Sequence, residues 1–275
     1  MRALVTGAAG SIGSVLCSGL VDRGHTVIGL DRVPEPEGFT GDWFTADCAD
    51  PDAVEAVFAA SGRSGGTDAV VHLAGRTTEV SLPDELMSHV VTTAAVLDAM
   101  VRHAVSRIVY GGSNHAVGRT PRSELLRVDT RPRPDTFYGT AKVAAEGLLS
   151  LYVDRYGIDA VVPRIGSFLP QPESLRHLST WLSHDDAVRM FEAGLTAPDP
   201  GFAVLYGVSA NTRGWWDLEP GRALGYHPQD DAERYADQVL AHASDTARDE
   251  AEAAHVGGPY ATASFLRPAL DGPAA

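Results

Sequence analysis

Short, continuous apolar runs alternate with longer segments of helical periodicity over the first 165 residues of this 275-residue chain. The predicted strands cover residues 2–5, a segment ending at Asp31, and residues 43–46, 69–73, 107–110 and 160–162. Predicted helices follow the first strand and cover residues 51–60, about 84–103, and 138 to about 152. Apolar runs of this kind are typical of parallel strands buried on both faces. Their alternation with helices predicts an α/β fold, a doubly wound parallel sheet with right-handed crossovers.

The pattern changes after residue 165. A tryptophan pair at Trp215-Trp216, a short apolar run at 202–206 and a helical pattern near 230–241 predict a smaller lobe of mixed structure. We therefore expect residues 1–165 to form the sheet domain. Residues 166–275 are expected to form a small C-terminal substrate lobe and tail, interleaved with the sheet domain into one unit.

A glycine-rich turn follows the first strand, where the chain reads TGAAGSIG. Gly7 permits the tight turn, Gly10 lets the backbone approach a pyrophosphate, and Gly13 lets the next helix pack close to the strand. Asp31 ends the second strand, where a carboxylate accepts hydrogen bonds from the ribose of an adenosine and repels a 2′-phosphate. The motif predicts a Rossmann dinucleotide site with NAD as the cofactor. Arg32 can bind a 2′-phosphate and leaves NADP as the alternative.

A second motif joins Tyr138 and Lys142, which stand four residues apart at the start of a predicted helix and so share one face. A phenol has a pKa of about 10, which a neighbouring ammonium and a positive nicotinamide ring can lower towards the working range of a base. Ser113 follows the fifth strand, at the sheet edge where open α/β folds bind their ligands. We predict that Tyr138, Lys142 and Ser113 form a catalytic group.

The composition of the chain argues against several classes of binding partner. A net charge of −14 argues against nucleic acid and anionic membranes, since both bind clustered Lys and Arg. Cys17 and Cys48 lack metal-ligand spacing, and we expect His184, Asp185 and Asp186 to cap a helix and orient the lobe, not to hold a metal. No stretch approaches the roughly 18 apolar residues of a membrane span, and the first apolar run is already assigned to a strand. We expect a cytoplasmic protein that acts on a small molecule and holds no metal.

Five further segments carry a resemblance: SNH from Ser113, RIGS from Arg164, STWLSHDD from Ser179, GVSAN from Gly207 and WWD from Trp215. With the two motifs above, they make the chain resemble the extended branch of the short-chain dehydrogenase/reductase superfamily, which includes NAD-dependent epimerases and dehydratases. Within that branch they resemble the uronate dehydrogenases, which oxidise C1 of D-glucuronate or D-galacturonate to an aldarolactone with NAD. The resemblance implies the same reaction here, and the short second lobe agrees with a substrate that carries no nucleotide.

The resemblance also implies a role for each matching position. Tyr138 would take the proton of the anomeric hydroxyl, Lys142 would hold the nicotinamide ribose, and Arg176 would pair with the uronate carboxylate. The substrate positions so implied are Thr77, Ser113, Asn114, His115, Tyr138, Ser167 and Arg176. The cofactor positions are Gly7, Ala9, Gly10, Ser11, Ile12, Gly13, Asp31, Asp47, Leu73, Ala74, Gly75, Tyr138 and Lys142.

Several positions depart from the pattern of that family. His89 stands where the family more often has asparagine, and Thr77 stands where serine is more common. Gly111-Gly112 replaces a small residue followed by serine, and Arg76 adds a charge close to the expected pocket. These changes leave the redox residues intact and leave the particular substrate open.

Two other functions stay open from the sequence. A sugar epimerase or dehydratase would return its hydride, so that no net NADH forms. A non-catalytic NAD sensor would not need Tyr138 and Lys142. The helices expected near 84–103 and 138–155 resemble the pair that extended members bury in a dimer, so a homo-oligomer is expected.

Overall fold

The strands predicted from the apolar runs assemble into one parallel sheet in the computed structural model, which describes residues 1–122, 125–242 and 251–262. In chain order the strands are β1 (Arg2–Thr6), β2 (Thr26–Asp31), β3 (Asp42–Thr45), β4 (Ala69–His72), β5 (Arg107–Tyr110), β6 (Gly112–Ser113), β7 (Asp159–Ile165), β8 (Ser167–Phe168), β9 (Trp181–Leu182) and β10 (Phe202–Gly207). The main sheet runs β10-β7-β5-β4-β1-β2-β3, with β6 beside β7, and β8 pairs separately with β9.

Helices connect these strands. They are α1 (Ser11–Asp22), α2 (Pro51–Arg63), α3 (Leu82–Leu86), α4 (Thr92–Arg102), α5 (Phe137–Tyr156), α6 (His177–Thr180), α7 (His184–Thr196), α8 (Glu219–Ala223) and α9 (Ala236–His242). A π-helical turn spans Met87–Val91, and 3₁₀ turns span Asn114–Val117, Ala232–Tyr235 and Gly258–Ala261.

The two faces of the sheet have separate apolar cores. One core joins the sheet to α2, α4 and α5 through residues such as Phe58, Leu97 and Leu149. The other joins it to α1 and α7 through residues such as Leu16 and Phe191. Helices on both faces of a parallel sheet confirm the predicted doubly wound α/β fold.

The helix expected near residues 84–103 is divided. Ser81 caps α3 and Pro83 lies in its first turn, but the π-helical turn at Met87–Val91 separates α3 from α4. This turn brings His89 against the ring of Tyr138 on α5, with ring centroids 5.1 Å apart. A π turn is locally as compatible with the sequence as an α turn, so the pattern gave no sign of it.

The sixth predicted strand, 160–162, is longer than expected because β7 continues through Pro163. The β5 ladder ends with Val109 opposite Val161, and the β6 ladder begins with Gly112 opposite Arg164. Pro163 therefore lies at the break between two ladders, where its missing N–H costs no hydrogen bond.

The segment expected to form the second lobe also extends the main sheet. β10 pairs with β7, and Val188 of α7 contacts Gly19 of α1. Ser183 is the residue that caps α7, since its hydroxyl accepts the N–H of Asp186 at 2.9 Å. His184–Asp186, which we expected to cap the helix, therefore form its first turn, and Ser183 precedes them as the actual cap. The buried Asp186 carboxylate accepts the N–H groups of residues 229 and 230 and so does orient the lobe.

None of the described helices is long and apolar enough to cross a lipid bilayer. Met87, Val91 and Leu151 are exposed apolar side chains on the π turn and α5. These elements belong to the helices expected to associate in a dimer, and self-association stays a prediction.

Buried His72 makes the stability of the fold depend on pH. Its Nδ1 lies 2.7 Å from the Thr6 hydroxyl, and burial, with a smaller effect of the Lys142 charge, lowers its pKa from 6.5 to about 3. In the unfolded chain the His72 imidazole takes up a proton below pH 6.5, whereas in the folded chain it stays neutral until the pH is much lower. We therefore expect His72 alone to reduce the free energy of unfolding by about 1.4 kcal/mol for each pH unit between 6.5 and 3. In urea titrations, His72→Gln should lose stability less steeply over this range; parallel pH curves for the two proteins would contradict the assignment.

Candidate functional site

One cleft of about 680 Å³ opens at the carboxyl ends of the parallel strands. It is bounded by the turns after β1, β2, β4 and β6, by α5, and by residues of the second lobe. Every cofactor and substrate position implied by the sequence lines this cleft except Ala9, which contacts it through Asp31. The fold therefore brings together residues that lie up to 169 positions apart in the chain, from Gly7 to Arg176.

The glycine turn between β1 and α1 leaves no room for side chains. Gly7 has a φ of +69°, and a Cβ there would lie 2.8 Å from the backbone nitrogen of Ala74. A Cβ on Gly13 would lie 2.1 Å from the Gly7 carbonyl oxygen. α1 begins after Gly10 with no side-chain cap, so its first N–H groups are free to bind phosphate oxygens.

Asp31 is fixed at the end of β2, next to this turn. Its carboxylate accepts N–H groups from Ala9 at 3.0 Å and from Arg32 at 2.7 Å. The Arg32 guanidinium lies 4.0 Å from the exposed Asp47 carboxylate. A close-packed glycine cradle, an uncapped helix N-terminus and a carboxylate held beside them are the features that an NAD pyrophosphate and adenosine ribose require.

Leu73, Ala74 and Gly75 continue from β4 along the same cleft. The Thr6 hydroxyl accepts the N–H groups of Leu73 at 3.2 Å and Ala74 at 3.1 Å. This contact holds the turn after β4 against the glycine turn after β1.

Ser113, Tyr138 and Lys142 meet in the middle of the cleft. Thr136 caps α5 and places Tyr138 in its first turn. The Ser113 hydroxyl accepts the N–H of His115 at 3.2 Å and hydrogen-bonds the Tyr138 side chain. Lys142 donates from Nζ to the Gly111 carbonyl at 2.7 Å, and its Nζ lies 5.5 Å from the Tyr138 ring centroid.

The electrostatics of this group differ from the expectation in one respect. Burial raises the pKa of Tyr138 to about 12, and the hydrogen bond from Ser113 only partly opposes it. Burial also lowers the pKa of Lys142 to about 7, so this ammonium is itself poorly stabilised. The expected lowering of the tyrosine pKa by Lys142 is not seen, because desolvation of the buried phenol is the dominant effect. A positive nicotinamide ring beside the phenol is the remaining means of lowering it.

The far end of the cleft carries a partly buried cation. Arg176 donates to the Ser167 hydroxyl at 3.1 Å and to the Val256 carbonyl at 3.0 Å. Burial lowers its pKa from the ordinary value, and the charges of Asp135 and Glu252 oppose that effect. The Arg176 Nε atom has no hydrogen-bond partner among the described residues, so the guanidinium keeps a donor that could bind an anion.

Between the two ends, His115 and Asn114 line the cleft. The Nδ1 atom of His115 lies 2.9 Å from the buried Asp135 carboxylate, which fixes the orientation of the ring. The Asn114 side-chain nitrogen is buried and has no hydrogen-bond partner among the described residues. Thr77 and Arg76 lie on the exposed rim.

Several functional residues were missed by the sequence reasoning. Asp135 orients His115, and the segment 251–262 closes the far end of the cleft. Gly258, at a φ of +62°, packs against Arg176, and a Cβ there would lie 2.2 Å from the Nε atom. The Tyr260 ring lies edge-on to His115 at 5.1 Å. The one available signal was the Gly257-Gly258 pair, to which the sequence analysis gave no role.

This fold, with a dinucleotide cradle and a Ser/Tyr/Lys group at the sheet edge, defines an NAD-dependent dehydrogenase of the short-chain dehydrogenase/reductase type. The chain belongs to the NAD-dependent epimerase/dehydratase family, whose sequence profile matches residues 3–198. Its cofactor is therefore NAD.

Individual relatives agree with this assignment over nearly the whole chain. A uronate dehydrogenase of Pseudomonas putida is 37% identical over 266 residues, which cover 95% of this chain and 96% of the relative. The crystal structure of uronate dehydrogenase from Agrobacterium tumefaciens has a TM-score of 0.86 at 35% identity and covers 94% of this chain and 96% of its own. A tyrosine-to-alanine mutant of that enzyme complexed with NAD gives a TM-score of 0.87 at 34% identity, covering 97% and 99%.

Gly13 gives a test of the cradle. In Gly13→Ala the new methyl group would push α1 away from Gly7, so we expect NAD to bind about tenfold more weakly or worse and the fold to lose about 1–3 kcal/mol. The matched control is Gly62→Ala, because Gly62 lies in a helix with nothing within 4 Å of its Cβ position. Titration calorimetry would measure the NAD affinity of both variants. Equal affinities in Gly13→Ala and Gly62→Ala would contradict the predicted cradle.

Proposed function

We propose that this protein oxidises the anomeric carbon of a hexuronate, D-glucuronate or D-galacturonate, to the aldarolactone with NAD. The observation that carries the proposal is Arg176, a partly buried guanidinium in the same cleft as Tyr138, whose Nε atom has no hydrogen-bond partner among the described residues. A uronate carboxylate would accept hydrogen bonds from this guanidinium and pair with its charge, which a neutral sugar could not do. The similarity to uronate dehydrogenases over 95% of the chain supports the same substrate class.

The chemical step needs a proton acceptor beside C1. The Tyr138 phenolate oxygen takes the proton of the C1 hydroxyl, and the C1–O bond becomes the lactone carbonyl. NAD held by the glycine turn, Asp31 and Lys142 would supply the acceptor for the hydride of C1. Ser113 donates to the reacting oxygen, which orients the hydroxyl and stabilises charge that develops on it. A positive nicotinamide ring beside Tyr138 would favour the ionised phenol, and Lys142 would hold the nicotinamide ribose.

The other residues of the cleft would hold the sugar ring. Arg176 would bind the C6 carboxylate through its planar fork, as Ser167 is already fixed beside it at 3.1 Å. Asn114, with a free buried amide nitrogen, and His115, oriented by Asp135, would bind ring hydroxyls. Thr77 would complete the pocket at its rim.

Removing the phenol tests the proposed base. We expect Tyr138→Phe to reduce kcat for uronate oxidation by about 10³-fold while NAD affinity stays close to that of the wild type. The control is Tyr156→Phe, since Tyr156 is an exposed tyrosine at the other end of the same helix. NADH absorbance would be followed with D-glucuronate, D-galacturonate, D-glucose and D-galactose. NADH formation with neutral sugars only, or none with any of the four, would overturn the proposed function and direct attention to nucleotide sugars.

Arg176 tests the substrate class. We expect Arg176→Gln to raise KM for uronates about 100-fold with a much smaller change in kcat, because the carboxylate lies far from the reacting carbon. Arg176→Lys keeps the charge without the planar fork and should give an intermediate KM. Arg222→Gln removes a half-exposed arginine of the second lobe and serves as the control. An Arg176→Gln enzyme with an unchanged KM for uronates would exclude this arginine from carboxylate binding.

A further inference from the structure

The C-terminal segment 251–262 forms a corner at the far end of the cleft. Within it Val256 is completely buried, and the N–H of Gly257 donates to the Gly118 carbonyl at 2.9 Å. The next residue, Gly258, has a φ of +62°, a backbone conformation that favours glycine. We call the pair Gly257-Gly258 the glycine corner.

Gly257 packs on the carboxylate of Asp135, whose side chain is 0% exposed. A Cβ at Gly257 would overlap the Asp135 Oδ2 atom and lie 2.9 Å from Cγ, and a Cβ at Gly118 would overlap the same carboxylate. The Thr136 hydroxyl donates to Oδ1 at 3.2 Å and restrains the carboxylate further. Gly257 itself has a φ of −75°, which any residue can adopt, so it is the contact with Asp135 that requires glycine here.

The Asp135 carboxylate in turn holds the ring of His115, which lines the cleft. The His115 Nδ1 atom lies 2.9 Å from Asp135 Oδ2. Because a carboxylate only accepts hydrogen bonds, Nδ1 carries the proton, and in the neutral ring Nε2 is then the acceptor. Tyr260 of the same segment lies edge-on to His115, with ring centroids 5.1 Å apart. The corner therefore fixes the orientation and the tautomer of His115 through Asp135.

Gly258 packs on the second group expected to hold the sugar, the Arg176 guanidinium. A Cβ at Gly258 would lie 2.5 Å from Arg176 Cδ and 3.1 Å from Cζ. The Val256 carbonyl accepts a hydrogen bond from Arg176 Nη2 at 3.0 Å, and the Ser167 hydroxyl accepts one from Nη1 at 3.1 Å. The guanidinium thus occupies space that any side chain at residue 258 would need.

We propose that the glycine corner is a positioning element that sets the separation of the two groups which hold opposite parts of the substrate. One glycine fixes His115 through Asp135, and the other fixes Arg176 by direct contact. The inference rests on the proposed function, in which Arg176 binds the uronate carboxylate and His115 binds a ring hydroxyl. Because the corner lies at the far end of the cleft from the cofactor turn, changes in it should alter sugar binding and leave NAD binding unchanged.

Gly258→Ala tests the contact with Arg176. The new methyl group would occupy the space of the arginine side chain, so the guanidinium must move. We expect KM for D-glucuronate and D-galacturonate to rise about tenfold, with a much smaller change in kcat and an unchanged Kd for NAD. Gly201→Ala is the matched control, because Gly201 has a similar φ of +58° and nothing within 4 Å of its Cβ position. It imposes the same backbone strain without a contact to the cleft.

A double variant separates this contact from a general loss of packing. Arg176→Ala removes the side chain that the methyl group would displace, so adding Gly258→Ala to it should raise KM for uronates no further. Independent, additive increases in KM would show that the methyl group acts elsewhere and would overturn this half of the proposal.

Gly257→Ala tests the contact with Asp135 without any turnover. In protein with ¹⁵N-labelled histidine, the Nδ1–H signal of His115 is the one that His115→Gln removes. The displaced carboxylate should break its hydrogen bond with His115, so we expect this signal to move upfield and to exchange faster with water in Gly257→Ala. Gly258→Ala should keep the signal, and so should Gly62→Ala, whose Cβ position has nothing within 4 Å. KM for uronates should again rise about tenfold in Gly257→Ala.

The outcomes distinguish the glycine corner from the proposed function. An unchanged His115 signal in Gly257→Ala, or an unchanged KM in Gly258→Ala, would overturn the role of the corner. A wild-type enzyme that forms no NADH with uronates would overturn the proposed function, whereas the His115 signal, recorded without substrate, would still test the contact. If Gly257→Ala does not fold, Asp135→Ala/Gly257→Ala has room for the methyl group and should be as stable in urea as Asp135→Ala. A lower stability of the double variant would then contradict the packing of Gly257 on Asp135.

Discussion

The burial of one ammonium group governs the catalytic half of this molecule. Lys142 is 6% exposed, and its Nζ donates to the Gly111 carbonyl and lies 4.7 Å from the Tyr110 ring centroid. Gly111 is the residue at which the β5 ladder ends and the β6 ladder has not begun, so its carbonyl is free to accept this bond. A Cβ on Gly112 would lie 2.8 Å from the Pro163 carbonyl oxygen, whereas one on Gly111 would lie 2.9 Å from the flexible end of the Leu73 side chain. Of the glycine pair that departs from the family pattern, Gly112 is thus required by the close approach of these segments.

The two ends of the cleft obtain their charges in different ways. At the cofactor end, backbone N–H groups and the Asp31 carboxylate are the groups predicted to bind NAD, so affinity there should depend on how closely the turns pack. At the far end, Arg176 belongs to the second lobe and is closed in by residues 251–262, through Val256 and Gly258. In the proposed reaction the sheet would therefore fix the position of the reacting carbon, and the second lobe would select the group at the opposite end of the sugar.

The sequence predicted the features that depend on local pattern. Apolar runs located the strands, and the glycine spacing and the Tyr138–Lys142 spacing located the turn after β1 and the start of α5 that line the cleft, because each feature is encoded within a few residues. It did not predict contacts between distant segments. Asp135 orients His115 across 20 residues, and Gly258 packs on Arg176 across 82, and neither contact has a periodic signature. The π turn was missed because a single turn within a longer helical segment has no periodic signature of its own, and its effect is visible only in the contact of His89 with Tyr138.

Net charge and local charge act in opposite directions on the proposed substrate. A chain with a net charge of −14 repels a uronate at long range, so electrostatic steering does not assist its capture. At physiological ionic strength this repulsion is screened beyond about 8 Å, whereas a pair inside a desolvated cleft is screened far less. In the proposed function, recognition of the anion would then come from contact with Arg176 itself, after the sugar has entered. On this reasoning a single partly buried arginine, without a basic surface patch, would be sufficient for an acidic protein to select an acidic sugar.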